Sequence, residues 1–137
     1  YKGEFMGASV YDDYGHHPTE IEATSKAIHK KKYNKSWVIF EPHTYSRAFK
    51  HKEDFAKSLK DFDYIIITDI YAAREVNTYG IKEEDIIREI KKYGKEAFHI
   101  SSYDDIKLYL SQYVEKGDLI LTLGAGNVTK LADMLVK

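Results

Sequence analysis

Short runs of β-branched and aromatic residues alternate along the chain with longer stretches in which apolar residues recur every three or four positions. That rhythm predicts repeated βαβ units and a mostly parallel sheet. The runs place strands near residues 8–13, 36–41, 63–69, 96–100 and 118–123, with helices over about 18–32, 48–60, 83–93, 103–115 and 127–136. The clearest helical pattern is Ile106, Tyr109, Leu110, Tyr113 and Val114, a spacing that puts all five on one face and that face on the sheet. Pro18 suits a first helical turn, where a missing N–H costs nothing, and Glu20 and Glu22 complement the positive end of the helix dipole. Gly94 and Gly117 read as stops after the third and fourth helices, and Asn127 as a cap for the fifth. Residues 1–7, with Gly3 and Gly7, fit no βα unit and predict an extra, antiparallel edge strand. The expected fold is α/β: a three-layer, Rossmann-like, mostly parallel sheet of about six strands with helices on both faces.

Composition narrows the function classes. A chain of 137 residues, 43% hydrophobic and 31% charged, suits one soluble domain with one sheet. Its longest apolar runs, residues 64–67 and 119–123, are strand-length and far short of the roughly 20 residues a membrane span needs. A net charge of −1 supplies no basic field for nucleic acid, so the expected partner is a small molecule. The absence of cysteine excludes disulfides and thiolate chemistry; with no signal peptide, the expected location is cytoplasmic. Tyr1 in place of an initiator Met reads as the start of a piece of something longer.

In open α/β sheets, ligands bind beyond the carboxyl ends of the strands. Four polar clusters fall there: Asp12 to His17, Glu41 to Arg47, Asp69 to Glu75, and Gly124 to Asn127. The opposite turns, around Asn34-Lys35, Phe62, Gly94 and Gly117, hold little beyond charge and glycine. Each cluster also has a plain structural reading. Asp12 and Asp13 can finish a strand, His16 or His17 can cap a helix, and Asp69 and Arg74 can pair with each other. Against that, Tyr14 offers a flat face to a base, and Arg47 is a planar fork suited to a carboxylate or phosphate. Gly124-x-Gly126 before a helix lets backbone N–H groups approach an anion, but it lacks the third glycine of a dinucleotide fingerprint. No G-x-x-x-x-G-K-[ST] loop is present, Ser46 lies in no nucleophile elbow, and Asp12, Asp13, His16 and His43 match no metal-ligand template, so no metal site is expected.

The motifs Asp12-Asp13-Tyr14-Gly15-His16-His17-Pro18-Thr19-Glu20-Ile21, Phe40-Glu41-Pro42-His43-Thr44-Tyr45-Ser46-Arg47, Asp69-Ile70-Tyr71-Ala72-Ala73-Arg74-Glu75 and Gly124-Ala125-Gly126-Asn127 together resemble the C-terminal domain of the Mur ligase family. Tyr14-Gly15 is similar to the alanine-adding members; the muropeptide-recycling members typically carry Phe-Ala there. Thr44 departs from the Arg found in many members, which puts one contact to the amino acid in doubt. The resemblance implies that residues 1–137 are one domain of an ATP-dependent ligase, with UDP-binding and ATPase domains outside it. That ligase would join L-alanine to UDP-N-acetylmuramate through an acyl phosphate, with ATP and Mg2+. It implies that Tyr14, His16 and Asp13 lie on the ATP side, that His43 and Arg47 orient L-alanine, and that His17, Thr44, Asp69, Tyr71, Arg74, Gly124, Gly126 and Asn127 border the same cleft. By itself the chain is expected to fold as a monomer without ligase activity, because the P-loop is missing. Two other readings remain: a signalling receiver domain, which would need a lysine where Gly124-Ala125-Gly126 stands, and a bare nucleotide-binding module.

Overall fold

The computed structural model describes all residues, Tyr1–Lys137. In chain order the elements are β1 (Gly3–Phe5), β2 (Ala8–Asp13), α1 (Pro18–His29), β3 (Ser36–Phe40), α2 (Tyr45–Leu59), β4 (Tyr64–Ile67), α3 (Glu83–Lys91), β5 (Ala97–His99), α4 (Tyr103–Tyr113), β6 (Leu119–Leu123) and α5 (Thr129–Val136). They form one six-stranded sheet in the order β1-β2-β6-β3-β4-β5. β1 pairs antiparallel with β2, as the odd N-terminal segment predicted, and every other pairing is parallel. No helix is long and apolar enough to cross a membrane.

The strand order follows from crossover handedness. β2, β3, β4 and β5 step outward in one direction, and a right-handed connection keeps the intervening helices on one face. That face is the larger core, where Ile21 and Ile28 of α1, Phe55 and Leu59 of α2, and Ile86 and Ile90 of α3 meet Val38, Phe40, Ile65 and Ile67. Returning from β5 to β6 reverses the direction, so α4 passes over the other face. There Ile106 and Leu110 of α4 and Leu131 and Leu135 of α5 pack on Val10, Trp37, Ile39, Ile66 and Ile120. β3 and β6 are buried at every residue because both of their faces are covered. Each fully buried Leu, Ile or Phe on these faces contributes about 1.5–3 kcal/mol of transfer free energy, which makes the sheet a rigid platform for its loops.

The structure corrects several details of these elements. α1 stops at His29, short of residue 32, and α2 begins at Tyr45 because Thr44 caps it by accepting from the Arg47 N–H. Asn127 does not cap α5: the cap position is Val128, without a side-chain bond, and the Asn127 N–H is spent on Glu41. Tyr113 is 55% exposed rather than on the sheet; its ring lies 4.7 Å from Tyr109 at the end of α4. Gly94 and Gly117 do take left-handed φ values after α3 and α4.

Candidate functional site

β6 lies between β2 and β3, and its continuation runs to α5 on the opposite face from α1 and α2. The rim therefore opens on both sides of β6, and the four polar loops meet around it.

The first loop is organised by its own acids. Adjacent strand residues face opposite sides. The Asp13 carboxylate accepts from the Gly15 N–H at 2.7 Å and the Thr24 hydroxyl at 3.0 Å. Asp12 accepts from the hydroxyls of Thr122 at 2.6 Å and Thr129 at 2.9 Å. Asp13 thus shapes the turn that carries Tyr14 and His16. Asp12 and Asp13 diverge, and the set Asp12, Asp13, His16, His43 does not converge on a point. His17 is the N-cap of α1: its Nδ1 accepts from the Thr19 N–H at 3.3 Å, while Glu20 accepts from the His17 N–H at 3.1 Å. The His16 N–H foremost, then the His17 N–H, hold the Glu20 carboxyl below its ordinary range. Its ring lies 5.4 Å from His51, beside α1 and α2, so His17 serves as the cap of α1.

What the turn leaves free is Tyr14 and His16. Tyr14 is 71% exposed, and its ring stands edge-on to His16 at 5.9 Å. His16 lies 5.5 Å from His43 across the rim, and His43 in turn stacks on Tyr71 at 5.3 Å. Arg47 Nη1 is 3.2 Å from His43 Nδ1, one helical turn away. Arg47 can only donate, so Nδ1 accepts and the imidazole carries its proton on Nε2, free to donate outward. Burial first, then the charges of Arg47 and His16, push His43 below its ordinary value and keep it neutral at pH 7. An exposed guanidinium beside a neutral imidazole donor is a receptor for a small anion.

The backbone that holds this pair is strained. Thr44 sits at φ 68°, ψ 148°, a conformation costing a branched residue about 1–3 kcal/mol. It persists because the Thr44 N–H donates to Tyr71 O at 2.7 Å and the Tyr71 N–H to Pro42 O at 2.8 Å, extending the β3–β4 ladder by a bridge between His43 and Tyr71. A second fastening is Glu75, whose carboxylate accepts from the Ser46 N–H at 2.9 Å and from the Ser46 hydroxyl. The hydroxyl foremost, then that N–H, hold the Glu75 carboxyl below its ordinary range.

On the other side of β6 is a cleft of about 360 Å³ lined by Glu41, Asp69, Tyr71, Tyr103, Asn127 and Lys130, among others. Glu41 is 4% exposed and accepts from the Tyr103 hydroxyl at 2.9 Å and the Asn127 N–H at 2.8 Å. Burial, reinforced by Glu41, pushes the Tyr103 phenol well above its ordinary value, so it stays a donor. A Cβ at Gly126 would collide with the Glu41 carboxylate and stand 2.8 Å from the Tyr71 ring, so only glycine brings this loop against both. Gly124, at φ 155°, also passes close to Glu41, where a Cβ would stand 3.1 Å from it. Asp69 does not pair with Arg74. It accepts from His99 Nε2 and the Ser101 hydroxyl, each at 2.7 Å, and these bonds outweigh burial and hold its carboxyl low. His99 is raised: burial lowers it, but Asp69, Glu83 and Glu84 prevail. Asp69, Glu83 and His99 bring one ligand atom each within 4.8 Å of one another, an imidazole held among carboxylates. Arg74 stays exposed and forms no ion pair.

The structure thus brings Tyr14, His16, His43, Thr44 and Arg47 together on the α1–α2 face of the rim and Asp69, Gly124, Gly126 and Asn127 on the α4–α5 face, with Tyr71 shared between the two. Sequence reasoning placed Glu41, Ser46 and Glu75 within the rim clusters without giving them a role, and it missed Tyr103, His99 and Lys130. An acid directly after an all-apolar strand was a usable signal for Glu41; nothing local marked Tyr103 or His99, which arrive from β5 and α4.

The family model described as "Mur ligase, glutamate ligase domain" matches residues 1–126. Among curated proteins, UDP-N-acetylmuramate–L-alanine ligase of Caldicellulosiruptor bescii is 44% identical over 135 residues, 98% of this chain and 30% of that protein. The ligase of the same name from Alkaliphilus metalliredigens is 45% identical over 134 residues, 98% of this chain and 29% of that protein. The chain therefore spans under a third of the length of these relatives. A murein peptide ligase from Psychrobacter arcticus shares the fold with a TM-score of 0.75 at 23% identity, over 97% of this chain and 28% of that one. A UDP-N-acetylmuramate-alanine ligase from Thermotoga maritima does so with 0.68 at 24%, over 93% and 26%.

Proposed function

The chain belongs to the Mur ligase family, and from that premise we propose that it is the C-terminal domain of a ligase joining L-alanine to UDP-N-acetylmuramate in peptidoglycan precursor synthesis. The observation that carries the reading is the pairing of Arg47 with His43 Nδ1 at 3.2 Å, on a strained turn beside His16. Arg47 and the His43 Nε2–H hold the carboxylate of L-alanine, and its amine is left to attack an acyl phosphate presented from outside this domain. Tyr14 and His16 take the adenosine side of ATP, with the exposed ring stacking on the base. The phosphate chain and the UDP-sugar belong to parts of the parent beyond this chain, since no P-loop lies in it.

Magnesium finds no cradle among the acids of the first loop, because Asp12 and Asp13 already accept from Thr122, Thr129, Gly15 and Thr24. The choice of L-alanine over a muropeptide rests on Tyr14-Gly15 and on curated relatives above 40% identity that carry the alanine-ligase name. The parent is placed in the cytoplasm, where UDP-sugars are made.

The test is Arg47→Ala in the longer protein that carries this domain. Losing one charged hydrogen-bond pair costs about 1.5–3 kcal/mol, so the KM for L-alanine should rise about ten-fold or more while that for ATP stays within about two-fold. An unchanged KM for L-alanine would move the carboxylate site elsewhere.

A further inference from the structure

Glu75 occupies a place that the start of α2 would otherwise offer to a ligand. Its two carboxylate oxygens sit on the Ser46 N–H and hydroxyl at the start of α2, a 15-residue helix, with the Tyr45 N–H and the Arg47 charge also acting on it. α2 has no acidic residue in its first turn, so the negative charge at its amide end comes from a different loop. That loop is fixed in place by the His43–Tyr71 bridge and by a left-handed Ala73, at φ 55°.

We propose that Glu75 is a specificity-determining residue that fills the amide end of α2, so that the neighbouring Arg47–His43 pair accepts a singly charged carboxylate in preference to a phosphate. The inference rests on the reading of that pair as a carboxylate receptor. Charge decides it. The helix end contributes roughly half a positive charge and Arg47 a full one, with His43 neutral. Glu75 subtracts one, leaving roughly half a unit, enough for a monoanion aligned by two donors. Without Glu75 the same surface would carry about one and a half units, plus the freed Ser46 N–H and hydroxyl, the setting in which helix ends bind phosphate. A dianion gains about twice as much as a monoanion from that extra potential, so the nucleotide's own phosphates would compete for the amino-acid position.

The chain itself can be titrated with inorganic phosphate and, separately, with acetate, following the Ser46 and Arg47 amide resonances. Glu75→Gln keeps the size of the side chain and removes its charge. It should bind phosphate at least about five-fold more tightly than the wild type, with a clearly smaller gain for acetate. Glu75→Asp, which keeps the charge, should stay near wild type. No phosphate gain in Glu75→Gln, an equal gain for both anions, or the same gain in Glu75→Asp would each overturn the proposal, the last by showing that loop loosening and not charge is responsible. Acetate that moves no wild-type resonance of Arg47 would instead sink the carboxylate reading and leave the phosphate comparison to be decided on its own.

Discussion

The two rims of the sheet are both rich in polar residues, yet they use them in opposite ways. At the rim where strands begin, Asp118 is 2% exposed and accepts from the Lys35 N–H, the Trp37 indole and the Glu115 N–H, while Asp63 accepts from the Ser36 N–H and hydroxyl. Both carboxylates are answered by other parts of the fold. At the rim where strands end, Tyr14 stands in solvent, and Arg47 and His43 lean chiefly on each other. Polarity alone does not mark a site. Donors without a structural acceptor do, because a fold built only for stability would satisfy or discard them.

That contrast is sharpest at Asp118. Asp118→Ala strands several buried donors at once, each costing about 1–3 kcal/mol, so the domain should lose on the order of 3 kcal/mol or more in urea unfolding. The anion-binding behaviour of Arg47 in whatever remains folded should be unchanged. Coupled loss of both would erase the distinction between the rims.

Gly126→Ala tests the functional rim from inside. The added methyl must displace Glu41 or Tyr71, at about 1–3 kcal/mol of overpacking. Unlike Asp118→Ala, it should also disturb the His43 resonances, because Tyr71 stacks on that ring. A stability loss without any change at His43 would separate the two halves of the rim.

Tyr14→Ala reverses the signature. In the longer protein, ATP affinity should weaken by about 1–3 kcal/mol, the scale of base–aromatic stacking, while the domain's unfolding midpoint barely shifts. A ring 71% exposed has little stability to lose. A lower midpoint with unchanged ATP affinity would return the turn to plain structure.

The smallest effect sets two histidines of one rim against each other. His99 is raised above 6.5, so its contribution is fully present below that value and is lost as pH rises through the folded value. His43 is lowered, so the unfolded chain takes up a proton first and stability is lost as pH falls from 6.5 through the folded value. Partial exposure keeps both contributions small. Unfolding midpoints across pH should show His99→Gln flattening the profile above 6.5 and His43→Gln flattening it below. The same change on both sides would mean that neither ring titrates as its surroundings dictate.

The sequence by itself determined the element types, the shared rim and the antiparallel start. Period-two and period-3.6 patterns, Pro18 at a helix start, and glycines with left-handed φ are local physics that any stretch of chain carries with it. It also marked Tyr14, His16, His43 and Arg47, whose chemistry a plain turn does not need. Asp13 and His17 looked the same in the sequence, and only the tertiary structure spent them, on the Gly15 amide and on the start of α1. The tertiary structure likewise decided that β6 enters between β2 and β3, that Glu75 reaches α2 from another loop, and that Tyr103 and His99 arrive at Glu41 and Asp69. The reason is physical: local periodicity fixes which face of an element is apolar, whereas strand order is set by the handedness of whole crossovers, and no residue pattern inside a strand records its neighbour.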